Sequence, residues 1–181
     1  NRDIERIAEL CQSYGAFDYT VAQTREEAEK LLAARRVSLT ALSRLKPTTI
    51  LEDATVPRSK IADMVKAIKR IAKKYDVTIC TFGHAGDGNL HPTCLTDARD
   101  EAEMKRVEQA FAEIFQTAID LGGTITGEHG VGLMKRPYLH LKVGDVGIET
   151  MRRIKKALDP YGLMNPGKIF VLDEIREGDL T

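Results

Sequence analysis

The 181-residue sequence has no tryptophan, three cysteines, 6% aromatic residues and no excess of either charge, since 27 Lys and Arg balance 27 Asp and Glu. Each shortage excludes something. A balanced charge leaves no electrostatic footprint for nucleic acid and no acidic tail. No apolar run approaches the roughly 18 residues of a membrane span, and no signal peptide is evident. Cys11, Cys80 and Cys94 are odd in number and form no CxxC pair. They argue against a disulfide framework and for a reducing compartment, so a cytoplasmic setting is expected. The 43% hydrophobic and 30% charged content is ordinary for a soluble globular protein. The length suits one domain or part of a larger one. The chain opens on Asn1 directly in a helical pattern, as a fragment or processed chain would.

Histidine is scarce too, but three of the four are concentrated. One block reads Phe82-Gly83-His84-Ala85-Gly86-Asp87-Gly88-Asn89-Leu90-His91-Pro92. The other reads Gly122-Gly123-Thr124-Ile125-Thr126-Gly127-Glu128-His129-Gly130-Val131-Gly132. Together they supply two imidazoles, a carboxylate and a spare imidazole, the parts of a metal site with a general base. Asp87-Gly88 between apolar, β-prone residues is a hairpin signal. With those two residues at the tip, His84 faces His91, and directly opposed residues share a sheet face with Cβ atoms roughly 5 Å apart. In that register Cys80 and Cys94 fall on opposite faces, which favours free thiols over a bridge. His140 has no motif around it.

Residues 2–13 and 24–36 read as helices, the second with a capping-box start at Thr24. Residues 17–22 alternate like a strand, and 37–47 are ambiguous. Thr48–Val56 reads as a strand and Lys60–Tyr75 as an amphipathic helix with Ile61, Met64, Val65, Ile68 and Ile71 on one face. The hairpin strands span Val77–His84 and Asn89–Leu95. A long helix runs from about Asp100 to Leu121, stopped by Gly122-Gly123. Residues 124–146 look irregular, a last helix spans about Ile148 to Leu158, and the tail is loop or short strand. The expected class is α+β, a ferredoxin-like mixed or antiparallel sheet with helices on one side plus a C-terminal helical and loop segment.

Gly83–Pro92, Thr126–Gly132 with Lys135, and Asp159–Lys168, together with Val56-Pro57-Arg58-Ser59, resemble the C-terminal domain of FAD-linked oxidases. The similarity is greatest to the glycolate oxidase FAD-binding subunit and to D-lactate and D-2-hydroxyglutarate dehydrogenases. It covers nearly the whole chain. The resemblance implies that residues 1–181 are the substrate or cap portion, with the N-terminal FAD-binding domain absent from this chain. It implies His84, His91 and Glu128 as ligands of a divalent metal, with zinc the best match to that donor set. His129 is implied as general base, suited to neutral pH. Arg35 is implied to bind the substrate carboxylate, and Asn165 and Gly167 to approach the flavin; Asn89 either completes the turn or uses its amide to orient a ligand histidine or touch substrate. Where the hydroxyglutarate enzymes carry a lysine for a second carboxylate, this sequence has Leu51, which favours a small monocarboxylate such as glycolate or D-lactate. Lys135 has no assigned role.

The resemblance further implies FAD, held mainly by the missing domain, as well as electron-transfer subunits as partners and a location that these could make peripheral to the inner membrane. The surface that meets the FAD domain could also drive a homodimer. Two other readings of the residues stand beside the oxidoreductase. One is a zinc-dependent hydrolase in which Glu128 or His129 activates a water. The other is a non-catalytic ferredoxin-like binding module.

Overall fold

The computed structural model describes residues 2–170, in two compact units, Asn1–Arg44 and Leu45–Thr181. The first holds helices α1 (Arg2–Ser13) and α2 (Arg25–Leu42). Thr24 caps α2 by accepting the Glu27 N–H, and the Glu27 carboxylate accepts the Gln23 N–H at 2.7 Å. This is the expected start, but the helix continues past Arg36 through the ambiguous stretch. Each added residue gains one hydrogen bond, so an established helix runs through neutral sequence until something stops it. Arg35 therefore lies inside α2 rather than at its end. The strand expected at 17–22 does not form. Alternating apolar residues become a strand only beside an edge that takes their backbone bonds, and no described strand pairs with them.

The second unit holds β1 (Thr48–Leu51), β2 (Ala54–Thr55), α3 (Ile61–Tyr75), β3 (Thr78–His84), β4 (Asn89–Thr96), α4 (Glu101–Asp120) and α5 (Leu139–Leu158). β4 is the central strand, antiparallel to β3 on one edge and to β1 and β2 on the other. β1 and β2 keep a single register, from Thr48 opposite Thr96 to Thr55 opposite Asn89. Glu52 and Asp53 interrupt the strand without a slip, and the Glu52 N–H still reaches the Pro92 carbonyl at 3.2 Å. Beyond them Thr55 bridges to Thr124, a single contact where a last strand would lie. The sheet is antiparallel throughout, and its β-α-β-β-α order is that of the split βαβ, ferredoxin-like arrangement.

The helices cover one face. Ala54, Leu90 and Cys94 meet Met64, Ile68 and Ile71 of α3 and Val107, Phe111, Ile114 and Phe115 of α4, with Ile50 and Ile79 packed against them. These are the stripes that helical and strand periodicity mark out, and each large side chain so buried contributes about 1.5–3 kcal/mol. Asp100 caps α4 by accepting the Glu103 N–H at 2.9 Å.

Two expectations need correction here. The hairpin turns through the four residues 85–88, not through Asp87-Gly88 alone, and His84 faces Asn89 rather than His91. The His84 carbonyl accepts both the Asp87 and Gly88 N–H groups, which closes the wider loop. Gly88, with φ +76°, sits where a Cβ would lie 2.0 Å from the Val56 carbonyl oxygen, so the loop is pinned against the end of the β1–β2 edge. The last helix begins at Leu139, nine residues earlier than expected. Its glycines had suggested loop; only Gly144 (φ 65°) leaves helical geometry, as a kink within α5.

Cys94 is fully buried and free, and burial first, then the Glu103 charge, pushes its thiol up to about 11 against the opposing effect of Lys46. A thiol-specific reagent at pH 8 is expected to label exposed Cys11 quickly and to leave Cys94 untouched until the domain unfolds. Mass spectrometry of labelled peptides, with and without denaturant, checks this; early labelling of Cys94 would contradict it.

Candidate metal centre

The sheet face opposite the helices carries the site. Side-chain alternation puts Asp53, Thr55, Asn89, His91, Phe82 and His84 on it together. The registers arrange them in rows: Thr55, Asn89 and His84 across one line, and Asp53, His91 and Phe82 across the next. His84 and His91 are diagonal neighbours, with ring centroids 5.3 Å apart and planes at 88°. The sequence reading had placed them directly opposite. A shift of two residues keeps a side chain on its face, whereas a shift of one reverses it. The convergence of the imidazoles therefore survives the wrong register.

Loop residues 126–129 complete the cluster. The N–H groups of Gly127, Glu128 and His129 all donate to Asp53 Oδ2, at 3.1, 3.3 and 2.9 Å. The Thr126 hydroxyl donates to the same oxygen at 3.3 Å. Successive N–H groups curled around one oxygen form an anion-holding nest. In an extended strand Glu128 and His129 would point apart; curled this way, both face the cluster. Gly127 permits the approach, since a Cβ there would lie 2.5 Å from Thr55 Oγ1 and 2.6 Å from the Asn89 side chain.

Glu128 Oε1 lies 3.0 Å from His91 Nε2, 3.7 Å from His84 Nε2 and 3.9 Å from His129 Nε2. Two ligands of one tetrahedral zinc, each about 2.1 Å from the ion, stand about 3.4 Å apart. The other nitrogens of His91 and His129, Nδ1 in each ring, are both 3.1 Å from Asp53 Oδ1, and the two rings stack at 5.1 Å. With Nδ1 bonded to a carboxylate, Nε2 of neutral His91 is an acceptor facing a second acceptor on Glu128. That pairing requires a cation between them or a second ring proton. Asp53, His91, Glu128 and His129 form a potential ligand group, their ligand atoms all within 4.8 Å of one another. Asp53 is unsuited to direct ligation, because both its oxygens are already occupied by donors.

The charges fit a cation. Lys135, only 2% exposed at its side chain, pairs with Glu52 at 3.2 Å and Asp53 at 3.3 Å. Three carboxylates, Glu52, Asp53 and Glu128, against one ammonium leave two formal negative charges, the complement of a divalent ion. Burial is the largest influence on Asp53 and opposes its ionisation. The His129 N–H, the Lys135 charge and the Glu128 N–H together outweigh it and hold the carboxyl well below the usual carboxylate range. His91 is buried, while His84, Glu128 and His129 are 42%, 53% and 37% exposed at their side chains. The cluster therefore has a closed sheet side and an open side.

The remaining expected site residues add no ligand atom to the cluster. Asn89 is buried and its Oδ1 accepts the Thr55 hydroxyl at 2.7 Å. Arg35 is exposed on α2 in the other unit. Asn165 and Gly167, both at positive φ, belong to the loop after α5. Asp159 organises this loop by accepting the Leu163 and Met164 N–H groups, and Arg136 donates to the Gly167 carbonyl at 3.0 Å. His140 is exposed on α5. Sequence reasoning missed Asp53 and the role of Lys135. The available signal was the pair Glu52-Asp53 inside an otherwise uncharged strand, since buried acids need partners.

Residues 1–169 match the family described as FAD linked oxidases, C-terminal domain. The chain belongs to this family. This FAD linked oxidase domain is 64% identical over 172 residues to glycolate oxidase subunit GlcD of Bacillus subtilis (strain 168), covering 95% of the chain and 37% of that protein. It is 35% identical over 166 residues to GlcD of Escherichia coli (strain K12), covering 92% and 33%. It is 36% identical over 169 residues to a D-lactate dehydrogenase of Anaerostipes hadrus, covering 92% and 35%. The domain thus spans about a third of the length of the curated relatives it matches. A 4-ethylphenol oxidase from Gulosibacter chungangensis, solved with isoeugenol, shares the fold with a TM-score of 0.54 at 20% identity, over 82% of this chain and 31% of that one.

Gly127→Ala is expected to push residues 126–129 off Asp53, because the new methyl would overlap Thr55 and Asn89. Overpacking of this kind costs about 1–3 kcal/mol. Thermal unfolding should show a lowered midpoint and zinc titration a weakened site; an unchanged midpoint with normal zinc binding would rule the close approach out.

Proposed function

We propose that this domain is the substrate portion of an FAD-dependent 2-hydroxy acid dehydrogenase or oxidase that converts glycolate or D-lactate to the 2-oxo acid. The observation that carries the reading is the convergence of three imidazole Nε2 atoms on one Glu128 oxygen, on the open side of a charged, otherwise buried cluster. Family membership favours the oxidoreductase over a hydrolase built from the same residues, and the relatives, a glycolate oxidase subunit and a D-lactate dehydrogenase, suggest the substrate class.

In this reading His84, His91 and Glu128 would hold the divalent ion, with zinc suited to two imidazoles and a carboxylate. When bound, the ion supplies a Lewis acid and FAD supplies the two-electron acceptor. His129 takes the substrate hydroxyl proton at Nε2, since its Nδ1 is engaged with Asp53. Asn89 offers its amide N–H groups to substrate, its Oδ1 being used by Thr55. The family resemblance would assign Arg35 of the first unit to the substrate carboxylate, which a guanidinium binds bidentately. Leu51 supplies no charge for a second carboxylate, which suits a small monocarboxylate.

The turn Gly86-Asp87-Gly88 joins two strands and does not lead into a helix N-terminus, so it is no cradle for a pyrophosphate. The FAD phosphates would be held by an N-terminal domain of the complete protein. Tyr161, Leu163 and Met164 are exposed around the Asn165–Gly167 turn, an apolar edge suited to a flat ring system. Electron-transfer subunits would receive the electrons, in the cytoplasm or peripheral to the inner membrane through those partners.

The test is flavin reduction by glycolate and by D-lactate in the complete protein. His129→Ala should lower kcat by about 10²–10⁴ with the smaller effect on KM, as removal of a general base does. His84→Ala should lose metal and change both constants. Normal flavin reduction in His129→Ala would remove it as the base. Full metal content with wild-type KM in His84→Ala would remove the ion from the mechanism.

A further inference from the structure

We propose that Asp53 is a positioning residue that fixes both working imidazoles at once, holding His91 and His129 as Nδ1–H tautomers through a single carboxylate oxygen. The inference rests on the proposed division of roles, with His91 a metal ligand and His129 the base.

A neutral imidazole has one protonated nitrogen, and the partner of the other decides which. Asp53 Oδ1 is 3.1 Å from Nδ1 of each ring. An ionised carboxylate oxygen only accepts, so both Nδ1 atoms must carry their protons. The rings stack with 19° between their planes, and both Nε2 atoms face Glu128 Oε1, at 3.0 Å from His91 and 3.9 Å from His129. One nitrogen is then free to bind an ion and the other to take a proton.

The second oxygen anchors the first. Oδ2 accepts the N–H groups of Gly127, Glu128 and His129, the Thr126 hydroxyl and the Lys135 ammonium. The residue that orients the two rings therefore also ties down the loop that carries Glu128 and His129. Asp53 has no vacant acceptor site for water or substrate, so its influence passes through the histidines.

Asp53→Asn separates this role from simple filling of space, because the amide has nearly the same shape. In one orientation its NH₂ group faces the donors on the loop and Lys135. In the other it faces the two Nδ1–H groups. Either way a donor meets donors, and one function of the carboxylate is lost.

Two measurements on the protein at its full natural length test the proposal. The first uses metal-free wild type with ¹⁵N-labelled histidine at pH 8, where long-range proton–nitrogen spectra read ring tautomers directly. Both rings, assigned with His91→Gln and His129→Gln, are expected to carry a proton on Nδ1, with His91 either the neutral Nδ1–H form or doubly protonated toward Glu128. Either ring predominantly as Nε2–H overturns the proposal. The second is calorimetric titration of zinc into metal-free wild type and Asp53→Asn. Loss of a carboxylate behind a ligand histidine should weaken zinc about 10–100-fold, although every proposed ligand remains, and the ring signals should move away from the Nδ1–H pattern. A folded Asp53→Asn variant with wild-type zinc affinity and unchanged tautomers also overturns it. If the variant does not fold, the wild-type spectrum decides alone. If wild type binds no zinc, the metal reading fails while the ring spectrum still decides what Asp53 does.

Discussion

A single buried carboxylate governs this domain's site. Asp53 is fully buried, opposite His91 on the central strand, and two rings, three consecutive backbone N–H groups and a lysine meet on its two oxygens. An ionised group removed from water is tolerable only when its bonding capacity is filled. Here the His91 ring comes from 38 positions along the chain, and the loop and lysine donors from more than seventy. The stabilisation of the anion and the assembly of the site are therefore one event. A loop held by three N–H bonds to a core carboxylate does not need regular structure to be well placed.

The sheet makes that arrangement possible through alternation. The helix-facing side of β4 carries Leu90 and Cys94 in the hydrophobic core, while the other side carries Asn89 and His91. The same strand thus serves packing with every second residue and chemistry with the ones between. The β1–β2 edge keeps its register across Glu52-Asp53, so the acids enter the site without displacing Ala54 from the core. Lys135 brings the compensating charge from a separate segment and is itself almost completely buried. Removing either partner of such an ion pair leaves an uncompensated buried charge, the costly case.

Exposure divides the cluster by task. The groups that orient, Asp53 and Lys135, are sealed from solvent, and His91 nearly so. The groups that would meet a small ligand, His84, Glu128 and His129, are partly open. This gradient suits a site whose geometry is fixed from behind and whose open side receives substrate.

Much was legible in the sequence by itself. The core stripe of α3, the cap at Thr24, the long helix from about Asp100, the hairpin, the α+β class and the grouping of His84, His91, Glu128 and His129 all follow from local spacing or from motif blocks. These depend on periodicity and capping, which are properties of neighbouring residues. Tertiary structure decided the rest. Residues 17–22 look like a strand but find no edge to join, because strand formation needs a partner that local pattern cannot supply. The hairpin register depended on how the Gly88 loop abuts Val56, a contact between distant segments. Asp53 and Lys135 gained their meaning only when β4, the Gly127 loop and the Lys135 segment closed around them. A buried charge is recognised by the partners that neutralise it, and those partners are neighbours in space alone.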